Sequence, residues 1–258
     1  MRIVDVEEAA HWAGLATPSI VVRGLDGTDR VDGRVDDRRE LYPASMIKTP
    51  LAAAALSLVE RGTLRLDQRI TVAQSNMTTN DKPSPFVAGY EGSLSQYLEF
   101  MITRSDNVAT NQLFDVVGRA RATAIAHELG LKRTAFHRKL SGSEPLIVDP
   151  EATGRNTHPA ADAALLFSLI ATDAIPFAST LREILARQQW NEKLSTALRP
   201  GDRFAHKTGD TDEVSHDAGL LDTQEGPSYI IVVYTGLPSS AHNDRRFGAF
   251  MRALRPLL

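Results

Sequence analysis

Three short clusters in this chain could do acyl-transfer chemistry together: Ser45-Met46-Ile47-Lys48, Ser105-Asp106-Asn107 and Lys207-Thr208-Gly209. A serine at the start of a helix and a lysine three residues on share one face, one turn apart. The helix N-terminus adds a field that favours negative charge developing on the serine oxygen. The Lys48 amine can accept the hydroxyl proton, directly or through water, if burial or another cation depresses its pKa. Lys207 is the candidate for that second cation. Taken singly, the first cluster reads as a helix cap followed by a solvated lysine, the second as a turn and the third as a strand end. Together, in this order and in helix-start, loop and strand context, they point to one shared site.

The elements that must position them can be read from periodicity. Val4 to Ala13 reads as a short helix, followed by alternating strands Ser19–Leu25 and Arg30–Val35 around the turn Asp26-Gly27-Thr28-Asp29. Pro43-Ala44-Ser45 leads into a helix from Met46 to Arg61, which Gly62 stops. Ser93–Thr103, with Ser93 as cap, and Asn107–Val117, Ala120–Leu129 and Pro159–Thr172 carry helical periodicity. Residues 138–158 hold two prolines and two glycines without periodicity and read as a long surface loop. Strands are expected at Phe204–Thr208, Val214–Leu221 and Tyr229–Tyr234, and a last helix at Ala241–Leu254. The expected fold is α+β: an antiparallel five-stranded sheet flanked by N- and C-terminal helices, with an inserted all-α lobe. Residues 1–40 and 190–258 form the sheet lobe, and 41–189 the helical lobe carrying Ser45, Ser105 and the 138–158 loop.

The ordered triplet is the signature of class A β-lactamases and penicillin-binding proteins, and the chain resembles that family over nearly its whole length. The 60-residue step from Ser45 to Ser105 (105 − 45) agrees with the class A pattern. The resemblance implies a β-lactamase/DD-peptidase-like fold and a role for each residue. Ser45 attacks a carbonyl and becomes acylated, and Lys48 accepts its proton. Ser105 relays a proton to the leaving nitrogen, with Lys207 tuning it. Asn107 donates to the substrate's amide side chain, while Lys207, Thr208 and Gly209 form a strand edge suited to a substrate carboxylate. The backbone N–H groups of Ser45 and Asp210 form the oxyanion hole.

For deacylation the family uses a loop glutamate, and Leu140 to Val148 offers Glu144 followed by Pro145, without the usual Leu-Asn; Glu151 is the rival. Gly142 and Asn156 fall where the family's loop salt bridge has Arg and Asp. After Gly209 the chain reads Asp210-Thr211-Asp212-Glu213 rather than a glycine-rich turn, and three carboxylates there repel an anionic substrate unless they point away. His216-Asp217 admits a catalytic reading, but a lone pair of this kind on a strand is more often structural.

The function implied is a class A-type serine β-lactamase, which would confer antibiotic resistance. The alternatives are a related peptidase or esterase on peptidoglycan-like or other acyl substrates, and a penicillin-recognising sensor acylated without turnover. The 258 residues, 42% hydrophobic with a formal net charge of -3, suffice for a sizeable core and carry no basic stripe, so nucleic acid is not an expected partner. Zero cysteines exclude thiol nucleophiles and thiolate metal sites. His206 and His216, ten residues apart, have no helical ligand spacing, so neither metal nor cofactor is expected. No apolar run suits a membrane span, and the acidic N-terminus has no signal-peptide core. The expected protein is a cytoplasmic monomer acting on a small molecule, or periplasmic or secreted if a leader has been removed.

Overall fold

The computed structural model describes residues 5–25, 32–142 and 145–258. The chain opens with helix α1 (Val6–Trp12), capped by the Asp5 carboxylate on Glu8 N–H, and strands β1 (Ser19–Gly24) and β2 (Asp32–Val35). The expected hairpin turn at Asp26-Gly27 lies outside the described residues. After a 3₁₀ turn at Ala44–Ile47 comes helix α2 (Lys48–Glu60), buried from Lys48 to Leu58 on every face, as a helix through the middle of a core must be.

A short ribbon follows, β3 (Arg69–Thr71) with β4 (Glu91–Ser93), and then helices α3 (Leu94–Thr103), α4 (Asn107–Val117) and α5 (Arg119–Glu128). Ser93 and Gln96 form a capping box at the start of α3, and Asp106 caps α4 by accepting from Ala109 N–H at 2.8 Å. Helices α6 (Ala160–Ala171) and α7 (Ala178–Ala186) lead to strands β5 (Arg203–Asp210), β6 (Ser215–Asp222) and β7 (Ser228–Thr235), and helix α8 (Ala241–Leu254) ends the fold.

The sheet is antiparallel throughout, in the order β2-β1-β7-β6-β5, so β5 is an edge strand. Its alternation sets three layers. Tyr229, Ile231 and Val233 of β7 pack with Phe247, Phe250 and Met251 of α8 and with Ala9 of α1. Ile230, Val232 and Tyr234 point the other way, into the core that holds α2, α4 and α6. The expected α+β fold, with terminal helices on one face and a helical lobe inserted between strands, is therefore the observed one.

Two differences bear on the sequence reading. Helix α7 and the β3–β4 ribbon were not expected; the ribbon strands are three residues each, too short for a period to show. The expected helical start at Met46 is a 3₁₀ turn instead. At three residues per turn, positions i and i+3 eclipse, so Ser45 and Lys48 stand one above the other more directly than in an α-helix.

Candidate active site

Ser45 sits in the 3₁₀ turn between buried neighbours, with its own side chain partly exposed to a cleft of about 590 Å³. Ala44 before it has φ of 47°, a left-handed conformation that an alanine adopts only when its surroundings impose it. Strand β5 supplies part of that constraint. A Cβ at Gly209 would lie 3.0 Å from both Met46 Cγ and the Pro43 carbonyl oxygen, so the glycine lets the strand end close on the turn. Behind it, His216 of β6 pairs in register with Gly209 and its Nε2 lies 2.8 Å from the Tyr42 carbonyl oxygen.

The three sequence clusters meet at Ser105. The buried Lys48 Nζ donates to the Ser105 carbonyl oxygen at 2.6 Å, to Ser105 Oγ at 3.1 Å and to Asn107 Oδ1 at 2.8 Å. The buried Lys207 Nζ donates to the same Ser105 Oγ at 3.0 Å and to the Thr208 carbonyl oxygen at 2.7 Å. With both hydroxyl lone pairs occupied, the Ser105 O–H is left to donate. Ser105 itself has φ of 56°, fixed between the Asp106 cap of α4 and the Lys48 bond.

Electrostatics follow from burial. Desolvation, then the nearby Lys207 charge, pushes the Lys48 amine well below the usual lysine range, against the pull of Asp106 and Asp81. Burial brings Lys207 down to about 7, with Asp210 opposing and Lys193 assisting. An amine so depressed can take a proton from a neighbouring hydroxyl, and a hydroxyl between two amines can pass one on.

The other expected site residues fall out unevenly. Thr208 and Asp210 line the cleft with Ser45 and Ser105. Asn107 spends Oδ1 on Lys48 and donates through Nδ2 to the Thr79 carbonyl oxygen at 3.2 Å, so it braces the lysine. The Asp210 carboxylate is paired with the buried Lys193 ammonium at 2.5 Å and accepts from Ser215 Oγ at 3.1 Å. Burial alone raises that carboxyl, but Lys193, Ser239 and Ser215 hold it below the usual range. Glu213 is paired with Arg155 at 2.9 Å.

Glu144 lies outside the described residues. The carboxylate of its rival Glu151 is 84% exposed, 4.0 Å from Arg119, and lines two cavities whose walls do not include Ser45. The loop is anchored differently from the family pattern. Arg119 grips the buried Asp149 at 2.6 Å, and Asn156 Oδ1 accepts from the N–H groups of His137 and Arg138 at 2.7 Å and 3.0 Å. At Gly142 any Cβ would collide with the Thr79 carbonyl oxygen at 2.1 Å, which leaves no room for the family's arginine.

His216 takes its structural reading. It accepts from Thr235 N–H through Nδ1 at 3.2 Å, stacks on Tyr234 and is pushed by burial down to about 4. His206 is committed elsewhere, with Nδ1 on Asp217 at 2.8 Å and Nε2 near Ser195 Oγ and Asn191 Oδ1. Sequence reasoning missed Lys193, Trp190, Asp81 and Asp244, all lining the cleft. They come from three separate segments with no motif, Trp190 and Lys193 sharing one, and only the folded chain brings them together.

Known proteins resemble this chain over most of its length. The profile of the Beta-lactamase enzyme family matches residues 3–254. The chain is 24% identical over 237 residues to the extended-spectrum β-lactamase PER-1 of Pseudomonas aeruginosa, covering 85% of this chain and 75% of that one. It is 29% identical over 231 residues to β-lactamase L2 of Stenotrophomonas maltophilia, covering 84% and 72%. Among solved structures, PBP-A superposes with a TM-score of 0.84 at 25% identity, covering 97% of this chain and 94% of that one. A β-lactamase from Sphaerobacter thermophilus superposes with a TM-score of 0.85 at 24% identity, covering 100% and 98%. With its fold, its three motifs gathered at Ser105 and a family match over almost its full length, the chain belongs to the β-lactamase enzyme family.

Proposed function

We propose that the protein is a class A-type serine hydrolase that opens β-lactam amides through an acyl-enzyme on Ser45. The observation that carries this reading is Ser105 Oγ held between two buried lysine amines, 3.1 Å from Lys48 and 3.0 Å from Lys207, in the wall of the Ser45 cleft. Lys48 takes the Ser45 proton as Oγ bonds to the carbonyl carbon. The backbone N–H groups of Ser45 and Asp210 receive the oxyanion. When the C–N bond breaks, the Ser105 hydroxyl gives its proton to the leaving nitrogen and recovers one from Lys48. Water then adds to the acyl carbon, the bond from that carbon to Ser45 Oγ breaks, and a proton from the water returns to Oγ. Glu144 is the residue this scheme assigns to activating that water. The substrate is a β-lactam or a peptidoglycan-like acyl compound, and the working unit is a monomer.

A second reading has its own support. Glu151 is turned away from the cleft, and a single-substitution mutant of PBP-A, similar to this chain at a TM-score of 0.84, has been captured as an acyl-enzyme complex with penicillin G. On this reading Ser45 is acylated but released slowly, as in a peptidase or a sensor. Nitrocefin turnover followed alongside intact-protein mass separates the two. Rapid turnover supports the first, and a persistent adduct that is lost in Ser45→Ala supports the second. Neither turnover nor an adduct with any β-lactam overturns both.

A further inference from the structure

Among the described residues that line the Ser45 cleft the cation is Lys193, and a carboxylate of the chain itself already answers it. The Lys193 ammonium donates to Asp210 Oδ1 at 2.5 Å and to the His216 carbonyl oxygen at 3.1 Å. Ser215 Oγ donates to the same Asp210 oxygen at 3.1 Å, and the Ser239 side chain is a further hydrogen-bond partner of that carboxylate. An ammonium and two hydroxyls converging on one carboxylate are the equipment of an anion site, with the charge-assisted bond as its strongest member. The lysine stands behind, with 4% of its side chain exposed, while the Asp210 side chain is 33% exposed and lines the cleft.

The place of this ion pair on the strand makes it a matter of specificity. Side chains alternate along a strand, so Asp210 shares a face of β5 with Thr208, two residues and roughly 7 Å away. Thr208 belongs to the strand edge on which a substrate carboxylate is expected. Lys207, the other cation there, is buried, spends its ammonium on Ser105 Oγ and the Thr208 carbonyl oxygen, and is brought by burial down to about 7. The remaining charged residues lining the cleft, Asp81, Glu192, Asp212 and Asp244, are acidic. A second carboxylate arriving at Thr208 therefore meets Asp210, with no uncommitted cation among the described lining residues to offset the repulsion.

We propose that Asp210 is a specificity-determining residue: it fills an anion site built from Lys193, Ser215 and Ser239. The cleft is thereby turned toward acyl substrates that carry an ester or amide, rather than a free carboxylate, beside the reacting carbonyl. The inference rests on the reading of Ser45 as the acylated serine.

The test compares one cephalosporin nucleus as its free ring carboxylate and as the methyl ester of that acid. The rate constant for labelling Ser45 is read by intact-protein mass. The wild-type protein is expected to label with the ester at least as fast as with the acid. Asp210→Ala vacates the site for the substrate's own carboxylate, and the acid-to-ester ratio should rise at least about tenfold, the scale of one hydrogen bond to a charged group. Asp210→Asn keeps the volume and removes the charge, so it should raise the ratio by less, and it serves where the alanine protein does not fold. Added acetate, competing for the vacated site, should lower the ratio in Asp210→Ala and leave the wild-type ratio where it was. A wild-type protein that labels faster with the acid than with the ester overturns the inference while leaving acylation of Ser45 intact, as does a ratio unmoved in both variants. If neither probe labels Ser45 in any of these proteins, the functional reading fails and the inference fails with it.

Discussion

Lys207 and Ser105, 102 residues apart in the chain, meet at 3.0 Å where edge strand β5 closes on the helical lobe. Lys48 reaches the same hydroxyl from α2, so one oxygen ties together the three segments on which the proposed chemistry depends. Ser105→Ala is expected to fold, because the Lys48 bond to the Ser105 carbonyl oxygen survives, and to slow acylation of Ser45 by roughly a hundredfold or more. The measurement is the acylation rate by stopped-flow or quenched mass analysis. A variant within about tenfold of wild type would remove Ser105 from the proton path.

The same pair predicts a pH profile. Burial lowers Lys207 to about 7, so it loses its positive charge as pH rises through that value. Acylation by a carboxylate-bearing β-lactam should therefore decline above about pH 7. Lys48 must be neutral to accept a proton, so a second, acid limb falls as pH drops, and the two apparent pKa values belong to the coupled pair of lysines. Lys207→Arg, whose charge persists, should move the alkaline limb upward by more than about one pH unit. A flat rate from about pH 6 to about pH 8.5 would contradict the assignment.

Much of this site was legible in the sequence, and the reason is local. Ser45 and Lys48 share one turn, Asp106 caps its own helix, and Lys207 and Thr208 occupy one strand, so motif spacing carries the geometry. The acidic wall and Lys193 were not legible, because Asp81, Trp190, Glu192 and Asp244 come from loops and a helix start that only tertiary packing unites. Repulsion from Asp210 could be named as a problem, but its solution in Lys193 lies 17 residues upstream with no spacing rule to reveal it. That the early hairpin and the late strands share one antiparallel sheet was readable, but their order was not, because β7 is a continuous apolar run; nor was the Arg119–Asp149 anchor, since it joins a helix to a loop without periodicity.

Two buried neutral histidines predict acid sensitivity. Thr235 N–H donates to His216 Nδ1, which leaves its proton on Nε2 for the Tyr42 carbonyl oxygen. The Thr134 hydroxyl donates to Asp162 and so accepts from His158 Nδ1. Burial lowers His216 from 6.5 to about 4 and His158 from 6.5 to about 3. Between these folded values and 6.5 the unfolded chain binds more protons, so stability is fully present above pH 6.5 and is lost as pH falls toward 4 and 3. Each histidine contributes on the order of 3 to 5 kcal/mol to that loss. Urea unfolding measured across this range should steepen with acid, and His158→Gln should flatten the slope by nearly one proton. An unchanged slope in that variant would show His158 to be protonated in the folded protein.

Gly209 separates stability from positioning. Its added Cβ would stand 3.0 Å from Met46 Cγ and from the Pro43 carbonyl oxygen, and 3.2 Å from Met46 N, all on the turn that carries Ser45. Because the contacts are tight rather than overlapping, Gly209→Ala should fold with a cost of about 1 to 3 kcal/mol, the range of ordinary overpacking. The turn must then shift by a few tenths of an ångström, and a nucleophile displaced from its attack geometry loses rate out of proportion to stability. Acylation of Ser45 is expected to fall by about tenfold or more while the Lys48–Ser105–Lys207 cluster stays assembled. Thermal denaturation and the acylation rate constant, taken on the same preparation, decide the point. Wild-type acylation in a folded Gly209→Ala protein would mean that the approach of β5 does not set the position of the serine.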